Sequence, residues 1–163
     1  MSGIVTRLTN SKAVGDVTQS QVLAALLRQG KRVLMPFGDN CRYDLLVEED
    51  GVFTRIQCKT GRIVRGAVVF AVASSQYHRG GKRQGYQGQI DAFGVFCPDN
   101  DKTYIIPIAD LPLVREAKLR LAPPGNSQVK GIRWAARYEV RSPIAQLVER
   151  RTVKRQHHGE TRD

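Results

Sequence analysis

The chain has 163 residues, 41% of them hydrophobic, so it is long enough to bury the core of one compact domain. It carries 26 lysines and arginines against 15 aspartates and glutamates, a net charge of +11. No apolar run is long enough to cross a bilayer, and the N-terminus lacks a signal-peptide pattern. The three cysteines form no CxxC pair, which argues against a disulfide scaffold or a zinc ribbon. We expect a reduced, cytoplasmic protein with no membrane partner.

The positive charge is spread along the chain. Residues 141–163 carry only +3 of the total, so residues 1–140 carry +8. A field of this sign and size favours a polyanion, because basic side chains that contact phosphates release counterions. Nucleic acid is therefore the expected partner, with a generic basic protein, such as a ribosome-associated one, as the alternative.

The hydrophobic pattern predicts one helix, six strands and a second short helix, after a leader of about 13 residues. The helices are predicted at 18–29 and 111–121, and the strands at 32–37, 43–48, 53–59, 67–73, 90–97 and 103–108. This order predicts an α/β (α+β) fold with a mixed central sheet flanked by helices. We expect a single domain over residues 1–140, followed by a basic tail at 141–163.

One predicted hairpin gathers reactive side chains. Asp44 opens its first strand, a Glu-Glu-Asp-Gly turn follows, and the second strand ends in Gln57-Cys58-Lys59. Because side chains alternate along a strand, Gln57 and Lys59 share one face and Cys58 points to the core. An acid, an amide oxygen and an ammonium then lie together, as in a metal-dependent phosphodiesterase.

The same residues suit magnesium, which takes few protein ligands. Asp44 supplies a carboxylate, Gln57 an amide oxygen and Cys58 its backbone carbonyl, while Lys59 stabilises charge on the phosphate or orients the water. Gln57 stands where a second carboxylate is expected, so the sequence predicts weaker metal affinity than a glutamate would give.

This pattern resembles the PD-(D/E)xK nuclease superfamily, and in particular the small homing endonucleases associated with group I introns in bacterial tRNA genes. The matching segments are 30–45, 55–61, 90–93 and 104–108. The resemblance implies a restriction-endonuclease-like core and Mg²⁺, replaceable by ions such as Mn²⁺. It also implies a homodimer or homotetramer that cuts double-stranded DNA in the bacterial cytosol. Asp44 becomes the metal ligand, Gln57 the variant of the usual acid and Lys59 the catalytic lysine. Gln19 aligns with an acid that many members carry on the first helix.

Residues 74–89 differ from the rest, with almost no aliphatic side chains, four glycines and basic groups interleaved with tyrosines. Such side chains can meet phosphates and base edges, so beside a nuclease site we predict DNA contact. The alternative is a solvated flexible loop. The candidate DNA-binding residues, in this segment and just before it, are Arg62, Arg65, Gln76, Tyr77, Arg79, Lys82, Arg83, Gln84 and Tyr86.

Other interpretations stay open. Taken singly, Asp44 could cap a turn beside Asn40, and Lys59 could be an edge-strand lysine that prevents aggregation. Taken as a whole, the chain could be an inactive nucleic-acid-binding module on the nuclease fold, with Gln57 and Gln19 as the marks of lost activity. It could also be a nuclease like the Holliday-junction resolvases, which reads branch shape.

The tail suggests a genomic location. Residues 145–150 can be encoded by GCT CAG TTG GTA GAG CGN, which matches the D-arm of a bacterial tRNA gene, with GCTC and GAGC complementary. We hypothesise that the reading frame runs into such a gene, and we then expect residues after Pro143 to be incidental to the fold and poorly ordered. The alternative is an amphipathic helix, since Ile144, Leu147 and Val148 have helical spacing.

Overall fold

The structure is a computed structural model and describes residues 10–38, 40–73, 85–111, 115–123 and 131–141. Within these ranges the chain forms one α-helix and eight strands. The helix is α1 (Ser11–Arg28), and the strands are β1 (Arg32–Leu34), β2 (Leu45–Glu49), β3 (Val52–Thr60), β4 (Arg62–Val64), β5 (Ala67–Ala71), β6 (Ala92–Cys97), β7 (Lys102–Pro107) and β8 (Glu116–Arg120). The described part of the chain contains no helix that is long and apolar enough to cross a bilayer.

The strands form two sheets. A five-stranded sheet has the order β1-β2-β3-β6-β7, in which β3 and β6 pair in parallel and the other neighbours are antiparallel. The other sheet is antiparallel, with the order β4-β5-β8. The predicted α+β class with a mixed central sheet is therefore confirmed.

Two hydrophobic clusters cover opposite faces of the five-stranded sheet. On one face, Val22 and Leu26 of α1 pack on Leu45 and Ile56. On the other face, a larger cluster joins β6 and β7 to β5 and β8 of the small sheet. Strand β6 is buried at every position because it is covered from both sides, which explains its continuous apolar sequence.

Helix α1 is longer than predicted. Asn10 caps it by accepting a hydrogen bond from the Lys12 N–H at 2.9 Å, so the helix begins seven residues before the predicted start at residue 18. It ends where expected: Gly30 has φ of +73° and donates to the Leu27 carbonyl, while the Lys31 N–H reaches Leu26. This is the pattern of a Schellman cap.

The predicted hairpin between β2 and β3 is confirmed. Its two turn residues, Asp50 and Gly51, both have positive φ, as a type I′ turn requires. Glu48 braces the turn by accepting the Gly51 N–H at 2.9 Å. Arg65 and Gly66 make a second turn of this kind between β4 and β5, and β4 was not predicted.

The helix predicted at residues 111–121 is wrong. Residues 116–120 are strand β8, which pairs with β5. Ala117 and Leu119 are buried, whereas Glu116 and Lys118, which alternate with them, are exposed. This is a period of two, which belongs to a strand whose one face is covered. The described chain therefore places the small sheet, and not a second helix, against the second face of the central sheet.

Two glycine substitutions should shift stability in opposite directions. A Cβ on Gly94 of β6 would lie 2.6 Å from Val22 and 3.0 Å from Ile56, and neither branched side chain can yield easily. We expect Gly94→Ala to lower the free energy of unfolding by about 1–3 kcal/mol.

Gly15 is the matched control, because a Cβ there meets nothing within 4 Å and the residue is inside α1. Gly15→Ala should raise the free energy of unfolding by about 0.5–1 kcal/mol. Urea denaturation of both variants provides the measurement, and a Gly94→Ala protein as stable as wild type would contradict the tight helix–sheet contact.

Candidate active site

Strand β3 separates core residues from site residues. Ile56 and Cys58 pack with the cluster under α1, whereas Gln57 and Lys59 lie on the other face. The predicted alternation is confirmed. Strand β3 lies between β2 and β6 in the sheet, but β2 pairs with it only as far as Ile56, so Lys59 has a strand partner on the β6 side alone.

Asp44 is held against β3 by backbone geometry. Strand β2 begins at Leu45 opposite Ile56, and the Asp44 N–H donates to the Ile56 carbonyl at 2.8 Å. One step further along, the Asp44 carboxylate replaces the missing strand partner, because its Oδ2 accepts the Cys58 N–H at 2.7 Å. The acid is therefore braced on β3 instead of capping a turn beside Asn40.

The amide of Gln57 lies between two oxygens. Its Nε2 donates to Oδ2 of Asp44 at 2.5 Å and lies 3.4 Å from the carbonyl oxygen of Cys58. The three groups that the sequence assigned to a metal site are thus in one place, although the Gln57 amide presents its nitrogen and not the predicted oxygen. A cation bound by both oxygens would require this amino group to leave or the amide to rotate.

Burial sets the protonation of the site. It raises the pKa of the Asp44 carboxyl, an effect opposed by the Cys58 N–H, the charge of Lys59 and the Gln57 amide. Burial and the nearby Asp44 carboxylate also raise the pKa of the Cys58 thiol far above its usual value. The thiol therefore stays protonated at neutral pH, so Cys58 offers its carbonyl and not a thiolate.

Gln19 reaches the site from α1. Its Nε2 donates to the backbone carbonyl of Asp44 at 3.2 Å. Gln19, which aligns with the acid of the first helix, therefore lies beside Asp44 as expected. Its amide contacts the Asp44 backbone carbonyl and not the Asp44 carboxylate. Its contact supports the position of Asp44.

The ammonium of Lys59 is held by Tyr86. Lys59 Nζ donates to the Tyr86 hydroxyl at 3.1 Å, and the Tyr86 ring packs edge-on against Phe93. Tyr86 was predicted to contact DNA, but its side chain is only 5% exposed. That prediction is corrected: a ring enclosed in the core has no face to offer a nucleic acid, and it contacts the site lysine instead.

Comparison with known proteins agrees with this geometry. The family model described as PD-(D/E)XK endonuclease matches residues 9–141. The chain belongs to the PD-(D/E)XK endonuclease family. Among solved structures, a bacterial homing endonuclease, I-Ssp6803I, superposes with a TM-score of 0.65 at 20% identity, covering 90% of this chain and 98% of that one. No curated protein matched the sequence.

PD-(D/E)XK nucleases generally use divalent metal ions, and the residues at this site offer few ligands for one. Within the described residues, no group of three or more His, Cys, Asp or Glu side chains could hold a metal ion. The donors at the site are one carboxylate from Asp44, one carbonyl from Cys58 and one amide from Gln57. This set of oxygens suits a hard cation such as Mg²⁺, with water completing the coordination.

The nuclease fold implies DNA binding, and the structure describes some of the predicted contact residues. Arg62 is exposed on β4 and pairs with Glu116 at 2.8 Å, and Arg65 is exposed in the turn that follows. Both belong to the small sheet. Six further candidates lie outside the described residues: Gln76, Tyr77, Arg79, Lys82, Arg83 and Gln84.

Two arginines near the site were not predicted. Arg55, on the same face of β3 as Gln57, donates from Nε and Nη2 to the Asp91 carboxylate at 2.9 Å each and from Nη1 to the Gly88 carbonyl at 3.0 Å. Arg42 places its guanidinium 4.7 Å from the Tyr86 ring centroid. Period-two spacing from Gln57 could have indicated Arg55, whereas no sequence signal joins Arg42 to Tyr86.

The Arg55–Asp91 pair should make stability depend on pH. Hydrogen bonds from Arg55 hold the pKa of the Asp91 carboxyl below its usual value. The pair therefore stabilises the fold at pH above the usual carboxyl pKa, and this contribution is lost as the pH falls through the lowered pKa. Because both groups are partly exposed, we expect Asp91→Asn to cost about 0.5–1 kcal/mol near neutral pH and less in strong acid.

Thermal unfolding across pH measures this effect. Glu116→Gln is the matched control, because it removes an exposed ion pair with a single contact to Arg62 and should change Tm little at any pH. An Asp91→Asn deficit that is as large in strong acid as at neutral pH would mean that the charge of Asp91 contributes nothing.

Proposed function

We propose that the protein is a site-specific homing endonuclease that cleaves double-stranded DNA, in a tRNA gene, by metal-dependent phosphodiester hydrolysis. One observation carries the proposal: the Asp44 carboxylate, the Cys58 carbonyl and the Gln57 amide converge at one point, with Lys59 on the same face of β3. A purely structural β-hairpin has no need for this arrangement.

Each residue has a chemical task in that reaction. Asp44 and Cys58 would supply the oxygens that hold Mg²⁺ or Mn²⁺, and Gln57 could add its amide oxygen. When bound, such an ion would supply Lewis acidity for activating the attacking water and offsetting charge on the phosphate. Lys59 donates hydrogen bonds to the phosphate oxygens as negative charge builds on them.

The remaining parts of the proposal have separate support. The charge of +8 on residues 1–140 suits duplex DNA, and a homodimer or homotetramer would allow both strands to be cut. The codons possible for residues 145–150 support a tRNA-gene target, as does the resemblance to intron-associated homing enzymes. Three free cysteines suit the bacterial cytosol.

A specific observation also favours a second function. The Gln57 amino group already satisfies Asp44, and Gln19 stands where the first helix often carries an acid. Such a site would also suit a module that binds DNA and no longer cuts it. A resolvase-like nuclease differs from both, because it would cut four-way junctions of any sequence.

Asp44→Asn tests the proposed activity. Asparagine has nearly the same shape and can still accept the Cys58 N–H, so the fold should persist while the charge is lost. We expect cleavage of a tRNA-gene duplex with Mg²⁺ to fall at least about 1,000-fold, since the bound ion supplies several kcal/mol to the transition state. Binding of the duplex should change little.

Asp101→Asn is the control for this variant. It makes the same charge change in an exposed turn, where φ of +53° suits asparagine. It should cleave like wild type, and EDTA should stop both. End-sequencing of a tRNA-gene library gives the target. Comparable cleavage by Asp44→Asn would disprove the assigned site, and tight binding without cuts in any metal would identify a DNA-binding module.

Gln57→Glu tests the metal ligands. A second carboxylate within hydrogen-bond distance of Asp44 would repel it, so Tm without metal should fall by several degrees, a change of about 1–2 kcal/mol. Metal relieves this repulsion, so Mg²⁺ should raise the Tm of the variant more than that of wild type. Thermal unfolding over a Mg²⁺ series measures both effects.

Gln87→Glu provides the comparison, because Gln87 is exposed in a turn. Its response to Mg²⁺ should match that of wild type. If Mg²⁺ shifts the Tm of wild type, Gln57→Glu and Gln87→Glu equally, Gln57 is not beside a metal ion.

A further inference from the structure

Tyr86 is a buried residue with a hydroxyl directed at the active site. Its side chain packs in the large cluster beside Phe93, with the ring centroids 5.5 Å apart and the planes at 86°. A buried phenol usually finds a hydrogen-bond partner, and here the partner is the ammonium of Lys59 at 3.1 Å. The contact joins residues that are 27 positions apart in the sequence.

The ring of Tyr86 also attracts two cations. Lys59 Nζ lies 5.1 Å from the ring centroid, and the Arg42 guanidinium carbon lies 4.7 Å from it. Both distances are within the range in which a cation is attracted to an aromatic ring. Arg42 in turn donates from Nε to the Gln89 side chain at 2.5 Å. The tyrosine thus connects the catalytic lysine to the turn that precedes β6.

That turn keeps Tyr86 in place. The Gln89 and Ile90 N–H groups both donate to the Tyr86 carbonyl, at 3.0 and 3.2 Å. Ile90 is buried in the same cluster as the ring, and Arg55 holds the neighbouring Gly88 and Asp91. The hydroxyl of Tyr86 is therefore a fixed point from which a flexible side chain can be held.

Lys59 needs such a point. A lysine side chain is a flexible four-carbon chain, and its ammonium holds its three donors in no fixed direction. An arginine guanidinium, in contrast, presents its donors in a rigid plane. A phenol hydroxyl can accept one N–H of the ammonium without offsetting its positive charge, whereas a carboxylate would offset it. The other two N–H donors of the ammonium then remain for a phosphate. Asp44 is less suited to this task, because its negative charge would offset that of Lys59 and its Oδ2 already accepts hydrogen bonds from Gln57 and Cys58.

We propose that Tyr86 is a positioning residue for Lys59, which aims the lysine ammonium at the scissile phosphate through the Tyr86 hydroxyl. This rests on the proposed nuclease function. Tyr86 acts through Lys59 and touches no substrate, so its loss should lower the rate of the chemical step while DNA binding stays intact.

Tyr86→Phe tests the role, because phenylalanine keeps the ring and its packing and removes the hydroxyl. Tyr104→Phe is the matched control: Tyr104 belongs to the same cluster, is fully buried, and its hydroxyl accepts a hydrogen bond from Asn100 at 2.9 Å. We expect Tyr86→Phe to lower the single-turnover rate constant for cleavage about tenfold, the effect of losing one hydrogen bond to a charged group. Its Kd for the duplex should stay at the wild-type value, and Tyr104→Phe should keep both.

A second measurement follows the contact without any cleavage. The rate of Lys59 acetylation by acetic anhydride, read by mass spectrometry relative to Lys102 in the same sample, reports how well the ammonium is held. Lys102 pairs with Glu139 and lies opposite Cys97, the last residue of β6, so it serves as an internal reference. We expect Lys59 to react several-fold faster in Tyr86→Phe than in wild type, and at the wild-type rate in Tyr104→Phe.

The outcomes separate the two proposals. If Tyr86→Phe cleaves at the wild-type rate, or if Tyr104→Phe loses as much of the cleavage rate as Tyr86→Phe does, the positioning role is overturned and the nuclease assignment stands. Unchanged Lys59 reactivity in Tyr86→Phe overturns it as well. If the wild-type protein cuts no duplex in any metal, the nuclease proposal fails and the positioning role fails with it, even where the acetylation rates show the contact.

Discussion

The alternation of side chains along β3 is the constraint on which both the core and the site depend. Because Ile56 and Cys58 pack against α1, Gln57 and Lys59 between and after them must face the other side of the sheet. A shift of one residue would turn the lysine toward α1 and the isoleucine toward the site. The type I′ turn after β2 sets that register, and it thereby sets which backbone N–H meets Asp44.

The site is poor in negative charge. Among the described residues, Asp44 supplies its one carboxylate, and Gln19 and Gln57 stand at the two positions where the family resemblance implies acids. The Cys58 N–H, the charge of Lys59 and the Gln57 amide stabilise the ionised Asp44 carboxylate, whereas burial raises its pKa. A glutamine in place of a second carboxylate also weakens the attraction of the site for a metal ion. How strongly the site binds a metal ion therefore distinguishes a nuclease from a DNA-binding protein on the same fold that does not cleave.

Support for the reactive groups comes from residues that are distant in the sequence. Tyr86 holds Lys59, Asp91 and Gly88 hold Arg55, and Gln19 holds the backbone of Asp44. All of these bonds converge on β3 and the residue before β2, so the turn before β6 and the first helix fix the site from two sides. Precise placement of flexible side chains generally requires such a surrounding layer.

The sequence by itself determined the features that depend on local spacing. The helix stop at Gly30, the Asp-Gly hairpin, and the shared face of Gln57 and Lys59 follow from turn chemistry and from a period of two. The α+β class follows from the order of the predicted elements, and the family follows from the resemblance of its motifs, which the family model confirms. The helix predicted at 111–121 was wrong because the alternating pattern covers only five residues, too few to outweigh their helical propensity. Pairing with β5 is what makes this segment a strand. Only the tertiary structure decided that Tyr86 is a partner of Lys59 and not a DNA contact, and that Arg55 pairs with Asp91. Those contacts join residues 27 and 36 positions apart, and sheet pairing, which no local pattern records, brings them together.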